Sequence, residues 1–468
     1  MNRTLKYALG ATGAALMLTG GAYTMSALSG NFDTGDKAAM SGLYALSGIN
    51  TAWAQAPHAD TVTAVSKDAE VTRGAQLARA GDCIACHTVS TAKPFAGGLP
   101  IKTPFGTIYS TNITPDKNVG IGNYTYDDFA RSLREGVAKD GHHLYPAMPY
   151  PSFAKINDVD MHALYAYFEN GVPPLDDANR ASDLHFPFNI RLLMAGWNLL
   201  FLQKSQYQPD PSHDAEWNRG AYLVQGLAHC GACHTPHGIA GQETAFDDKN
   251  TSYLTGYTLA DWYAPNLRSD AKNGLGSWSK QNIVDYLRSG RSHTGAAFGA
   301  MTEVINDSTQ FLSDADLNGI GAYLKSLPPL NQQDKLVASN ASVDADTADL
   351  RALRVTSAGA LLYLNNCNAC HHSDGAGAMK AFPGLKGNPI VTASDPTSLI
   401  HIVLTGAHMP STKTDPSPLA MPDFGWRLTD QQVADVLSYV RGSWGNGASP
   451  VVASQVDKVR RSINNASN

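Results

Sequence analysis

The chain has 468 residues, 43% of them apolar and only 16% charged, which supplies enough material for packed cores and excludes a disordered or fibrous chain. At ordinary domain sizes that length divides into about two to four domains. Thirty-five basic against 41 acidic side chains leave a net charge of -6, so there is no basic field for a phosphate backbone and nucleic acid is excluded as a partner.

At the start, Arg3 and Lys6 precede an uncharged stretch from Tyr7 to Asn31 that contains Ala14, Leu16, Met17, Leu18 and Met25. A short positive region followed by an apolar one is the pattern of an export signal. Small-x-small cleavage sites follow at Ala52-Trp53-Ala54 or Ala54-Gln55-Ala56. Residues 1–56 therefore read as a cleaved signal, with an uncleaved anchor as the rival. Either sends the remainder to the periplasmic side of the cytoplasmic membrane.

The rest of the chain repeats itself. Asp68-Ala-Glu-Val-Thr-Arg-Gly-Ala75 matches Asp214-Ala-Glu-Trp-Asn-Arg-Gly-Ala221, and a looser third copy starts at Gly359-Ala360. Each copy leads into Cys-x-x-Cys-His: Cys83, Cys86 and His87, then Cys230, Cys233 and His234, then Cys367, Cys370 and His371. Downstream, Tyr109, Asn112 and Gly120-Ile121-Gly122 match Tyr263, Asn266 and Gly274-Leu275-Gly276. A helical pattern then stops at Gly136 or Gly290. Asn157, Ser313 and Thr429 each head a closing helix, and Thr429 with Gln432 makes a capping box.

The fold class expected is all-α, with three small tandem helical units at residues 66–180, 211–330 and 351–446. Residues 181–210 form a linker with an apolar helix, residues 331–350 a second linker, and residues 447–468 a polar, frayed tail.

All six cysteines sit in the three motifs, and a single chance match in a chain of this composition is expected only about a few times per thousand. Two thiols three positions apart at a helix start can bond the two vinyl groups on one haem edge. The adjacent histidine then turns its imidazole under the iron. A thioredoxin-like pair needs a βαβ context and no histidine, and a zinc site needs two pairs converging on one metal. The expected cofactor is three haem c groups, with His87, His234 and His371 as proximal ligands.

Position in the repeat selects the sixth ligands. Met148 and Met421 are each followed by proline and lie shortly before the Asn157 and Thr429 caps, whereas Met409 is too far from its cap. Met301 takes the matching place in the second copy, although no proline follows it. Methionine there gives a six-coordinate electron-transfer site. His142, His143, His229, His293 and His372 have no repeated place and read as structural.

Between the first two units, the run from Phe186 to Lys204 is too short to span a bilayer. Arg191, Lys204 and Trp197 suit an interfacial helix, against packing between domains as the alternative.

Beyond the motifs, Tyr109-Ser-Thr-Asn-Ile-Thr-Pro115, Gly120-Ile-Gly-Asn-Tyr124, Tyr145-Pro-Ala-Met-Pro149 and Ala228-His-Cys-Gly-Ala-Cys-His-Thr-Pro236 resemble the triple-haem cytochrome c subunits of bacterial membrane-bound dehydrogenases for sugars, sugar acids and alcohols. That resemblance implies three tandem domains of the class I cytochrome c type, each covalently binding one haem c, in an electron-transfer subunit without substrate chemistry of its own. Its partners would be a large catalytic subunit, a possible small subunit and the cytoplasmic membrane, with ubiquinone as acceptor in the respiratory chain. Trp217-Asn-Arg-Gly-Ala-Tyr-Leu223 looks most like the flavin (FAD) branch, including gluconate 2-dehydrogenase. The pyrroloquinoline-quinone (PQQ) alcohol dehydrogenases are the alternative, and a multihaem peroxidase with the second iron left open is the more distant one.

Overall fold

In the computed structural model, residues 66–259, 261–331 and 341–466 are described; the export signal or anchor at residues 1–56 lies outside them. Each unit opens on a helix that closes back against the unit's last helix. In the first, α1 (Lys67–Ala80) crosses α5 (Asp158–Asn170). In the second, α7 (Ala215–Tyr222) crosses α11 (Asp314–Ser326), and in the third α13 (Ala358–Asn366) crosses α17 (Asp430–Gly442). The crossings are made at the repeated glycines. A methyl group on Gly74 would lie 1.9 Å from the Ala163 carbonyl oxygen, one on Gly220 1.9 Å from that of Gly319, and one on Gly359 2.3 Å from that of Asp435. Only a residue without Cβ lets the two backbones approach so closely.

The ends of these helices follow from their sequences. The Asn157, Ser313 and Thr429 side chains accept from the backbone N–H of Asp160, Asp316 and Gln432, and at Thr429 the full capping box forms. In the middle of each of the first two units, α3 (Tyr126–Glu135) and α9 (Lys280–Ser289) stop at Gly136 and Gly290, which take φ of 61° and 73°. Such positive φ is the glycine-favouring helix stop.

The fold is not purely helical. Each unit carries a short antiparallel pairing: β1 (Pro100–Thr103) with β2 (Gly106–Tyr109), β4 (Tyr257–Leu259) with β5 (Trp262–Ala264), and β6 (Ala407–His408) with β7 (Ala420–Met421). A third strand, β3 (Asp183–Leu184), pairs with β2 and carries the first unit's sheet past residue 180. Strands of two to four residues are too short to leave an alternation in the sequence.

Two further expectations change. Residues after Gly445 do not fray: α18 (Ala453–Ala466) packs on α17 and on α16 (Thr397–Thr405), with Val456 and Val459 buried in the third unit's core. Its valines recur at helical spacing and outweigh the polar composition around them. Within the second linker, α12 (Ala341–Arg351) likewise joins the third unit, because Leu350 is buried and Asp346 accepts the Trp444 N–H at 3.0 Å.

The first two units share one apolar core, running from Leu77, Phe95 and Leu164 to Trp217, Leu223 and Tyr323. The third has its own, around Tyr363, Leu404, Leu437 and Trp444.

Candidate haem-binding sites

Each Cys-x-x-Cys-His motif forms a short helix: α2 (Cys83–His87), α8 (Gly231–His234) entered from Cys230, and α14 (Asn368–His371) entered from Cys367. The three imidazoles are held in one way. His87 Nδ1 lies 2.6 Å from the Thr111 carbonyl oxygen, His234 Nδ1 2.7 Å from that of Pro265, and His371 Nδ1 2.9 Å from that of Pro383. A carbonyl only accepts, so Nδ1 carries the proton and Nε2 keeps its lone pair for a metal. Burial also lowers the pKa of all three rings, which keeps them neutral as ligation requires.

These carbonyls were not identified from the sequence, yet the sequence held their marker. Asn112 follows Thr111 and Asn266 follows Pro265. The Asn112 amide donates to the carbonyls of Leu175 and Asp177 at 2.8 and 3.1 Å, while its Oδ1 accepts the Thr114 N–H at 2.9 Å. Asn266 bridges Asp270 Oδ2 and the Arg268 N–H, both at 2.8 Å. The repeated asparagines are therefore braces for the loop that orients each histidine. Replacing Asn112 with alanine leaves the Thr114 N–H and hydroxyl and two carbonyls to find new partners, and should cost about 2 kcal/mol in denaturant unfolding.

The cysteines are unpaired. Burial, before any neighbouring charge, pushes the thiols of Cys83, Cys86, Cys230 and Cys367 up to about 12 and that of Cys233 to about 11. Among the described residues no three His, Cys, Asp or Glu side chains gather as a metal cluster would need, which goes against the zinc reading. In the third unit, Cys367, Cys370, His371 and Met421 instead line one common cavity. Its other walls are largely apolar, with Ile402, Phe424 and Leu437 and with Phe298 contributed by the second unit, and Asn366, Asn388 and His408 add polar edges. A largely apolar chamber with two thiols and a neutral imidazole fits a covalently held haem.

The methionines are placed unevenly. Met421 lies on β7 in the cavity wall, and Met409, excluded by its spacing, lines the same cavity. Met148 is half-buried against the core of the first two units, and its carbonyl accepts the Tyr150 N–H at 2.7 Å. Met301 sits in the first turn of α10 (Ala300–Asp307), a helix that packs against α2 of the first unit. Of the structural histidines, His142 Nδ1 meets Asp140 at 2.5 Å, and His372 is exposed beside the buried His371.

The Cys-x-x-Cys-His motifs of units one and two lie against each other. His229 Nε2 lies 3.3 Å from the Gly81 carbonyl oxygen, and Cys233 adds to the upward push on the Cys86 thiol. The second unit therefore touches both of its neighbours at their motifs, facing α2 on one side and walling the third cavity on the other.

The family model for cytochrome c matches residues 71–171, 218–328 and 356–444. The chain is 49% identical over 408 residues to the gluconate 2-dehydrogenase cytochrome c subunit of Pantoea cypripedii, covering 85% of this chain and 90% of that one. It is 46% identical over 397 residues to the cytochrome c subunit of the quinone alcohol dehydrogenase of Gluconobacter oxydans (84% and 82% covered). With the fructose dehydrogenase cytochrome subunit of Gluconobacter japonicus it shares 38% over 440 residues (90% and 88% covered). With three motifs of one geometry in three matched segments, the chain belongs to the cytochrome c family, among the cytochrome c subunits of dehydrogenases.

Proposed function

We propose that this chain is the electron-transfer subunit of a dehydrogenase complex on the periplasmic side of the cytoplasmic membrane, carrying electrons from a catalytic subunit to ubiquinone. The observation that carries this reading is the threefold His–carbonyl geometry, together with a second unit that abuts the motifs of both others. Bound haem c supplies the one-electron chemistry, and the protein supplies attachment and environment.

The paired cysteines would hold each group by thioether bonds, His87, His234 and His371 would offer Nε2, and Met148, Met301 and Met421 would offer their sulfur. Met421 is preferred over Met409 because it keeps the place before the closing helix that Met148 keeps in the first unit. The carbonyls of Thr111, Pro265 and Pro383 fix ring orientation, and the largely apolar lining of the third cavity would favour electron transfer over ligand chemistry. The catalytic partner is of the gluconate type, which oxidises a CH–OH group through a flavin; the 49% relative and the Trp217–Leu223 segment support that branch over the quinone-cofactor one.

Mass spectrometry of the mature protein from its own host should show three porphyrin additions. Replacing Met301 with leucine should remove a thioether–iron absorption feature and open one site to cyanide. A wild-type protein in which one iron is already high-spin and binds cyanide rapidly would favour the peroxidase alternative. Purifying the native complex and identifying the cofactor of its largest subunit decides the branch.

A further inference from the structure

Where α9 ends at Gly290, unit two turns its chain against unit three. A methyl group on Gly290 would lie 2.4 Å from the Pro410 ring. The Thr302 hydroxyl donates to the His408 carbonyl at 3.3 Å, and Asn306 Oδ1 accepts the Ser411 N–H at 3.1 Å. Those two hydrogen bonds are exposed. Arg291, the residue after Gly290, is 5% exposed and makes a different kind of contact. Its Nη1 donates to the Lys380 carbonyl at 3.3 Å and its Nη2 donates to the Ser417 carbonyl. Lys380 lies three residues before Pro383, whose carbonyl orients His371, and Ser417 lies four residues before Met421. Both segments wall the third cavity, through Ala381 and Phe382 on one side and Leu419 and Ala420 on the other. One guanidinium of unit two therefore fastens the loop that carries the His371 acceptor to the loop that carries Met421.

The backbone at this place does not require a cation. Gly136 matches Gly290, and the residue that follows it in unit one is Val137. Val137 and Arg291 each make an isolated antiparallel bridge, to His143 and to Ala296. Either residue satisfies that pairing, so the arginine side chain has a task of its own. Its charge is also uncompensated. Among the described residues no carboxylate pairs with Arg291, and its buried Nε has no hydrogen-bond partner. A buried guanidinium is ordinarily paired with an acid, because taking a charge out of water is costly. Two carbonyl dipoles cover part of this charge, and the remainder acts on its surroundings through a medium of low dielectric.

We propose that Arg291 sets the reduction potential of the third haem from unit two, as a positioning residue that grips both loops of that site and lends it a fixed positive charge. The proposal rests on the reading of this chain as a haem-bearing electron-transfer subunit. An electron entering the third site lowers its net charge by one, and a neighbouring cation favours that state, so the arginine raises the potential.

The test is a spectroelectrochemical titration of the haem-loaded full chain, comparing the wild type with Arg291→Met and Arg291→Lys. Methionine removes the charge and leaves an apolar side chain that a buried site tolerates. Lysine keeps the charge but lacks the planar fork that reaches two carbonyls at once. The wave missing from a Cys367→Ala, Cys370→Ala variant identifies the third haem. In Arg291→Met the equilibrium constant for its reduction should fall about tenfold, which for one electron is about 59 mV, while the other two waves stay in place. Arg291→Lys should restore most of that loss. An unchanged third wave in Arg291→Met would overturn the proposal. So would a loss that lysine does not restore, which would make Arg291 a structural pin of the seam. If the methionine variant fails to load its third haem, Arg291→Lys decides alone: a third wave near the wild-type position supports the proposal, and a tenfold fall overturns it. Intact mass of the wild type reports haem loading separately, so the electron-transfer reading and the role of Arg291 can each fail alone.

Discussion

A Gly220→Val variant should fail to build the second unit and should leave its host one porphyrin short. The added Cβ would stand 1.9 Å from the carbonyl oxygen of Gly319 and 2.3 Å from its carbonyl carbon. Both obstacles are backbone, so no rotamer change relieves them, and α7 and α11 must separate. Separation strips contacts from Leu223, Tyr323 and Leu324, all buried in the core that units one and two share. Overpacking usually costs about 1–3 kcal/mol, and a forced shift between two helix backbones lies at or above the top of that range. The haem depends on the same crossing because α7 continues through the π-helical turn Leu223–Leu227 into Cys230.

A matched control is Gly442→Ala, at the end of α17, where an added Cβ has no neighbour within 4 Å; it should be neutral or gain up to about 1 kcal/mol from helix propensity. Thermal unfolding and intact mass of both variants check the pair, and normal loading with unchanged unfolding in the valine variant would refute the crossing.

The same glycines show what sequence could and could not convey. The Arg-Gly-Ala repeats were visible as identical strings, as were the caps at Asn157, Ser313 and Thr429, because local backbone chemistry needs particular residue types at fixed offsets. What the glycines are for was not visible, since the carbonyls they approach lie about a hundred residues away in two of the three units. The motif histidines were legible as ligands, but the acceptors at Thr111, Pro265 and Pro383 are backbone atoms, which any residue can supply. The short strands left no alternation to detect, and α18 was hidden by polar residues around Val456 and Val459. The contribution of Phe298 to the third cavity depends on how the units pack, which no local pattern encodes.

Asp160→Ala should uncouple the first two units, with a loss of about 3–5 kcal/mol for removing one member of a buried ionic cluster. Asp160 is wholly buried at the third position of α5. It accepts from Arg73 Nε at 2.8 Å and from the Tyr222 hydroxyl at 2.7 Å, and Arg219 Nη1 lies 3.9 Å away. Arg219 also pairs with Asp316 at 2.7 Å, and Arg73 and Arg219 hold the same place in their repeats, as do Asp160 and Asp316. Each of the first two units thus closes its own helix pair with an Arg–Asp bridge, and Asp160 reaches further to bind the neighbouring unit through Tyr222. Burial and the adjacent carboxylate hold the Tyr222 phenol well above its ordinary pKa, so it remains a neutral donor. Alanine would leave Arg73 and Tyr222 without this acceptor beneath an apolar core, whereas Asp160→Asn keeps an acceptor and should cost less.

The third unit has Ala358 and Gln432 in place of this Arg–Asp pair and owns a separate core. Calorimetry of the wild type should therefore give one transition for units one and two and another for unit three. In the alanine variant the first transition should move down and split, while the third unit's should stay in place. A first transition that keeps its position and shape after the substitution would show that the shared core alone, without the Asp160 cluster, binds the two units together.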